Sequence, residues 1–142
     1  FPNLKITLLD SLQKRVNYLN EIIKELYLKD IEAIHTRAED YAKQNREKFD
    51  IVTARAVANL KMLSELCIPM VKVNGSFIAM KATIEEELEN SMEILKKLDS
   101  KIEKVETFYL PVENSIRNIV LIQKLKSTNR IYPRRIEKIK SK

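Results

Sequence analysis

Lys101-Ile102-Glu103-Lys104-Val105-Glu106-Thr107-Phe108-Tyr109-Leu110 is followed by Pro111-Val112-Glu113-Asn114-Ser115-Ile116, then by Arg117-Asn118-Ile119-Val120-Leu121-Ile122-Gln123-Lys124-Leu125. The two outer segments are rich in β-branched, aliphatic and aromatic side chains, which predicts a strand in each. Only a short polar link headed by Pro111 joins them. A parallel crossover needs a dozen or more residues, usually a helix. This pair must therefore be antiparallel.

Upstream the pattern alternates. Residues 4–9 are β-branched and aliphatic and end on Asp10, which predicts a buried strand. Asp10 with Gln13, or Ser11 alone, should cap a helix. Its apolar stripe is Leu12, Val16, Leu19, Ile22, Ile23 and Leu26. Residues 31–35 predict a second strand. Thr36 and Glu39 have capping-box spacing and open a polar helix to about Arg46. Residues 49–54 predict a third strand, with Arg55 just past its end. Leu60, Leu63, Leu66, Cys67 and Met70 define a helix reaching Val71, and Asn74-Gly75 reads as a turn. Residues 76–80 predict a fourth strand ending on Lys81. Residues 85–98 predict a charged helix offering Leu88, Met92, Ile94, Leu95 and Leu98 to the core.

Four βα units and a closing hairpin give the α/β class, with an open, mostly parallel sheet and helices on both faces. Residues 1–126 should form the domain, and 127–142 a basic, flexible C-terminal tail.

Composition narrows the function. The 142 residues carry a net charge of +6, unevenly placed. From Lys124 onward eight cations face only Glu137, so the body is nearly neutral. Such a tail lets phosphates displace their counterions, or merely aids solubility. Cys67 and His35 are each the only residue of their kind, so neither a disulfide framework nor a zinc site is expected. No apolar run approaches the ~20 residues of a membrane span, and the lone cysteine suits a reducing cytoplasm. There is one glycine, Gly75, where average usage would give about ten. A glycine-rich phosphate or nucleotide loop is therefore not in this sequence.

In open parallel sheets ligands sit outside the carboxyl ends of the strands. Those ends hold Asp10, Thr36 to Glu39, Arg55 and Lys81. Asp10 could accept hydrogen bonds from a ribose diol or simply cap its helix, and Glu39 is equally ambiguous. Arg55 interrupts an apolar stretch, which favours a functional role. Lys81 could face the rim or snorkel into water.

Seven segments in order resemble the RsmG (GidB) family: residues 8–15, 36–39, 50–56, 63–67, 79–81, 117–119 and 132–134. The resemblance spans essentially the whole chain. It implies a Rossmann-like S-adenosylmethionine-dependent methyltransferase fold and N7-methylation of a guanosine in small-subunit ribosomal RNA. It places donor contacts at Ala38, Glu39 and Arg55, with Asp10 near the adenosine ribose by analogy with the fold. It places basic residues near the reaction at Arg37, Lys81 and Arg117, and Arg134 and Arg135 belong to the expected RNA-facing tail. In that family a first strand and a glycine-rich loop would precede Phe1, the strand lying between those at residues 4–9 and 49–54. The chain is thus expected to be an inactive fragment of an enzyme, with a gap in its sheet.

The residues also speak to the chemistry. Exocyclic-amine methylation commonly uses an Asn/Asp-Pro-Pro-aromatic loop, where this chain has Ala54-Arg55-Ala56-Val57. Pyrimidine-carbon methylation usually needs a cysteine nucleophile, and Cys67 lies inside a predicted helix. Guanine N7 already has a free lone pair, so positioning suffices and no catalytic residue is assigned. Two rivals are a catalytically empty RNA-binding module of the same fold and a receiver domain. The receiver is disfavoured because Asp50 begins a strand rather than ending one, and because of the terminal hairpin.

Overall fold

The computed structural model describes residues 3–55 and 58–140. Ala56 and Val57, part of the 50–56 segment and its continuation, lie outside the described residues. The chain divides into two compact units, up to Tyr41 and from Ala42 onward.

In the first unit, β1 (Ile6–Asp10) and β2 (Ile31–His35) pair in parallel, from Ile6↔Ile31 to Asp10↔His35. Helix α1 (Gln13–Glu25) connects them. The expected capping box does not form. Asp10 Oδ1 accepts the Leu12 amide at 2.9 Å, and Gln13 turns its amide to Asn17 at 2.8 Å. Asp10 therefore closes a short turn of its own before the helix begins. Val16 is buried, and Leu19, Ile22 and Ile23 are partly covered, but Leu12 and Leu26 at the helix ends stay exposed. Thr36 likewise caps nothing: its hydroxyl donates to the Arg37 carbonyl, and α2 spans only Ala38–Gln44.

The second unit is a four-stranded sheet in the order β3-β4-β6-β5. Strands β3 (Phe49–Ala54) and β4 (Val71–Lys81) are parallel. Strand β6 (Ile116–Lys124) lies between β4 and β5 (Ser100–Tyr109), antiparallel to both. Residues 101–125 thus form an antiparallel pair, as their short link requires. Helix α3 (Leu60–Cys67) follows β3 and gives way to a 3-10 turn, Ile68–Met70, short of the expected Val71. Pro69 lacks an amide hydrogen and cannot continue the α pattern. Helix α4 (Glu85–Lys97) precedes β5. The two units share no strand pairing, so the described strands form two sheets rather than one.

The expected turn at Asn74-Gly75 is a bulge within β4. Val71 pairs with Phe49, and pairing resumes only at Ser76 with Ile51. Asn74 supplies a positive φ of 71°. Gly75 is required for space: a Cβ there would lie 2.6 Å from the Asp50 carbonyl oxygen and 2.9 Å from that of Lys72. Backbone cannot yield as a flexible side chain does. Gly75→Ala should cost about 1–3 kcal/mol, read as a lower urea midpoint with an unchanged m-value.

One face of β4 and β6 is the core. Phe77 pairs with Ile122 and Ala79 with Val120, and all four are buried. Leu60, Leu63 and Ile68 are buried on the segment after β3, and Ile94, Leu95 and Leu98 at the end of α4. Met92, also expected in the core, is 56% exposed.

The same face ends on Lys124, which the charge count had assigned to the tail. Its side chain is 1% exposed. The ammonium donates to the carbonyls of Val71 at 2.7 Å and Ile68 at 3.2 Å, with Glu47 3.9 Å away. Burial pulls its pKa from 10.5 down to about 8, against the opposing pull of Glu47. Below about pH 8 both folded and unfolded chains hold this proton. Between there and 10.5 the unfolded chain binds more protons, so stability should rise with pH by about 3 kcal/mol. Urea midpoints from pH 7 to 10.5 should climb relative to those of Lys124→Met.

The segment expected to be a flexible tail is packed from Thr128 to Ile139. Arg46 donates to the Thr128 carbonyl at 2.9 Å, the Asn129 carbonyl at 3.1 Å and the Tyr132 carbonyl. Arg134 grips Glu65 of α3 through two guanidinium bonds of 2.9 and 2.7 Å, and its own amide donates to the same carboxylate at 2.9 Å. Tyr132 is buried, as is Ile139 of the short helix α5 (Ile136–Lys140).

Candidate functional site

The first unit brings its candidate residues to one end. Asp10 closes β1 and is in register with His35, the last residue of β2. Ala38 and Glu39 begin α2 just beyond. The Asp10 carboxylate is 22% exposed, with Arg15 3.7 Å from Oδ2. Glu39 is 12% exposed in its side chain, and Arg37, largely in solvent, lies 4.0 Å from it. His35 meets the Ser11 carbonyl at 3.0 Å, bracing the turn after β1.

In the second unit, Ala54 pairs with Ala79, so Arg55 leaves the sheet at the end to which Lys81 also runs. Lys81 pairs with Asn118, the neighbour of Arg117 at the start of antiparallel β6. Arg55, Lys81 and Arg117 therefore occupy one rim. Arg55 is exposed, while Arg117 is half-buried and donates to the Ile116 carbonyl at 2.9 Å.

Lys81 differs from both. Its side chain is 8% exposed. Its ammonium donates to the Ala58 carbonyl at 2.6 Å and pairs with Glu87 Oε1 at 3.1 Å. That oxygen also accepts the Leu60 amide at 2.8 Å, and Asn59 accepts the Met62 amide at 2.8 Å. The end of β4, the start of α3 and the first turn of α4 are thus joined around one buried cation. Asn118 extends the network by donating to the Ala82 carbonyl at 2.9 Å and accepting from Thr107 at 2.6 Å. Lys81 neither snorkels nor presents a free ammonium.

Arg134 and Arg135 are not part of this rim. Arg134 is committed to Glu65, and Arg135 is exposed at the start of α5. Their segment is held by Arg46, which precedes β3 and so marks the opposite, amino end of the parallel strands.

Sequence reading missed Glu87, Asn59, Arg46 and Glu65. Glu65 left a signal: a charge inside Leu63-Ser64-Glu65-Leu66-Cys67, the apolar face of α3. Cys67 is buried, and desolvation pushes its thiol up to about 12, which leaves no thiolate for nucleophilic attack. Among the described residues no group of three or more His, Cys, Asp or Glu is placed to hold a metal. No described helix is long and apolar enough to cross a membrane.

The family model for GidB, rRNA small subunit methyltransferase G, matches residues 1–120. The chain belongs to this family. It is 52% identical over 138 residues to ribosomal RNA small subunit methyltransferase G of Bacillus cytotoxicus, and 51% identical to that of Bacillus cereus strain B4264. Each comparison covers 95% of the chain and 58% of the relative, so the chain spans little more than half the length of these GidB proteins. Among solved structures it is similar to a methyltransferase homolog from Pyrococcus horikoshii (TM-score 0.69, 17% identity, 87% of this chain and 54% of that one). It is also similar to an rRNA methylase from Streptococcus thermophilus (TM-score 0.62, 15% identity, 86% and 74%). An M. jannaschii protein solved in complex with AdoMet has a TM-score of 0.64 at 17% identity, covering 83% and 56%. These likenesses give this GidB chain the Rossmann-like methyltransferase fold.

Proposed function

We propose that the protein carrying this chain uses S-adenosylmethionine to methylate guanine N7 in small-subunit ribosomal RNA, in the cytoplasm. The family match over residues 1–120 carries this reading. The residues present fit such a donor. Asp10 keeps one carboxylate oxygen with only a long contact to Arg15, at a strand end where a ribose diol can be accepted. The largely covered carboxylate of Glu39 is a second acceptor in the same unit. Asp10, Ala38 and Glu39 are assigned to the adenosine portion. Arg55 is assigned to the same donor on the family resemblance.

Bound donor supplies an electrophilic methyl group on a sulfonium. Guanine N7 brings its own in-plane lone pair, so the chain has no proton to remove. What its residues must do is hold the base in line and leave N7 uncovered. A bidentate arginine on O6 and N7, the commonest guanine contact, would obstruct the reaction. Arg37 and Arg117 are therefore assigned to RNA phosphate or O6. Lys81 serves the same rim by tying the Ala58 carbonyl to Glu87.

Asp10→Ala and Arg55→Ala, each made in the protein that carries this chain, should weaken S-adenosylmethionine binding by roughly ten- to a hundredfold in calorimetry, as expected for charge-assisted hydrogen bonds. N7-methylguanosine should fall in parallel in mass spectrometry of digested ribosomal RNA. Unchanged donor affinity in both variants would remove these assignments. RNA binding with no methyl transfer by the unaltered protein would instead favour a catalytically empty RNA-binding module.

A further inference from the structure

The second unit holds a groove of about 510 Å³ at the amino end of its parallel strands. Five cations line it, Lys43, Arg130, Arg134, Arg135 and Lys138, together with Ile131. No acidic residue does. Arg134 is neutralised by Glu65. Lys43, Arg130 and Arg135 are exposed, and among the described residues none of the three has a carboxylate partner. Ile131 is 61% exposed beside them.

The groove is built rather than a loose cluster on a mobile end. Arg46 holds three carbonyls of the 128–132 turn, and the Glu65–Arg134 pair fixes the next residues. Arg130 and Arg135 thus project from a braced backbone, and Lys43 from helix α2. Little ordering is then needed when an anion binds.

We propose that this groove binds the phosphate backbone of RNA. The proposal rests on the ribosomal RNA reading above and deepens it by naming a second contact surface and its residues. Three unpaired cations on a fixed concave wall suit successive phosphates, and the exposed Ile131 offers an apolar seat for a sugar or base. An anionic membrane suits it less. A surface-lying amphipathic segment needs an extended apolar face, and α5 has 5 residues with Ile139 turned inward.

Position sets the consequence. Strand β3 has 6 residues, so its two ends lie roughly 17 Å apart at 3.3–3.4 Å per step. The groove belongs to the Arg46 end and the rim to the Arg55 end. A bound RNA reaching both must extend along the unit. The groove therefore governs RNA affinity and leaves donor binding and the methyl-transfer step alone.

The test is Lys43→Gln, Arg130→Gln and Arg135→Gln combined, in the protein that carries this chain, against Lys24→Gln, Lys96→Gln and Lys101→Gln as a control of equal charge change. The probe is a small-subunit ribosomal RNA transcript. The groove variant should lose roughly ten- to fiftyfold in affinity at 0.15 M salt, and its log–log salt slope should flatten by about 2. KM for RNA should rise while kcat and S-adenosylmethionine affinity stay unchanged. All six positions are exposed, and equal thermal midpoints verify folding. An unchanged slope, or equal flattening in both triple variants, overturns the proposal. So does loss of binding to phosphatidylglycerol vesicles with RNA affinity intact. Absence of methyl transfer by the unaltered protein would count against the function proposed above, whereas the salt slopes judge the groove separately.

Discussion

Glu65→Ala is expected to detach the C-terminal segment and cost about 3 kcal/mol. This is the lower end of the range for breaking a buried ion pair. The lower end applies because Arg134 is 30% exposed and can turn to water once its partner is gone, whereas Glu65 is 1% exposed. The carboxylate holds three donors, one of them the Arg134 amide. Its removal therefore frees backbone as well as side chain. Limited trypsin digestion should cut sooner after Arg130, Arg134 and Arg135, with the body of the second unit left intact. Cleavage at the original rate would mean that Arg46 alone secures the segment.

Lys81→Met should be comparably severe for a different reason. Methionine fills much of the space but leaves Glu87 without its cation and the Ala58 carbonyl without a donor. An uncompensated, largely covered carboxylate costs about 3 kcal/mol or more. Because Glu87 also accepts the Leu60 amide, the start of α3 loosens with it. In the complete protein kcat should fall more than tenfold, with RNA affinity far less affected, since the ammonium faces the protein interior. Glu87→Gln retains an acceptor oxygen and should be milder than Lys81→Met. Equal effects of Lys81→Met and Arg117→Ala on the salt dependence of RNA binding would place Lys81 on the RNA after all.

The elements were legible where local pattern suffices. Residues 31–35 and 49–54 are strands as expected, because their β-branched and apolar residues, interrupted only by Glu32, His35 and Asp50, favour extended backbone. The antiparallel pairing of β5 and β6 followed from the length of one link. The failures share a cause. Lys124 counted as a tail cation because nothing nearby in sequence shows that it meets the carbonyls of Ile68 and Val71. Arg46, Glu65 and Arg134 form a clasp across 69 to 86 positions, and periodicity carries no information over such a span. Leu12, Leu26 and Met92 matched an apolar stripe, yet at helix ends or edges they stay more than half exposed. At the rim the sequence supplied the residues Arg55, Lys81 and Arg117. It could not distinguish a cation facing solvent from one bound to a backbone carbonyl and a carboxylate.

The insertion of β6 between β4 and β5 has a consequence for synthesis. Among the described strands, β4 on that side and β5 on its paired side have no hydrogen-bonding partner except β6. Both wait, with backbone donors and acceptors open, until Lys124 has been polymerised. At 5–20 residues per second that interval lasts roughly 2–9 s after Lys81. The nascent chain carries the open edge of β4 through that time, joined by the edge of β5 once Tyr109 has been added, and both can be covered only after β6 has been made.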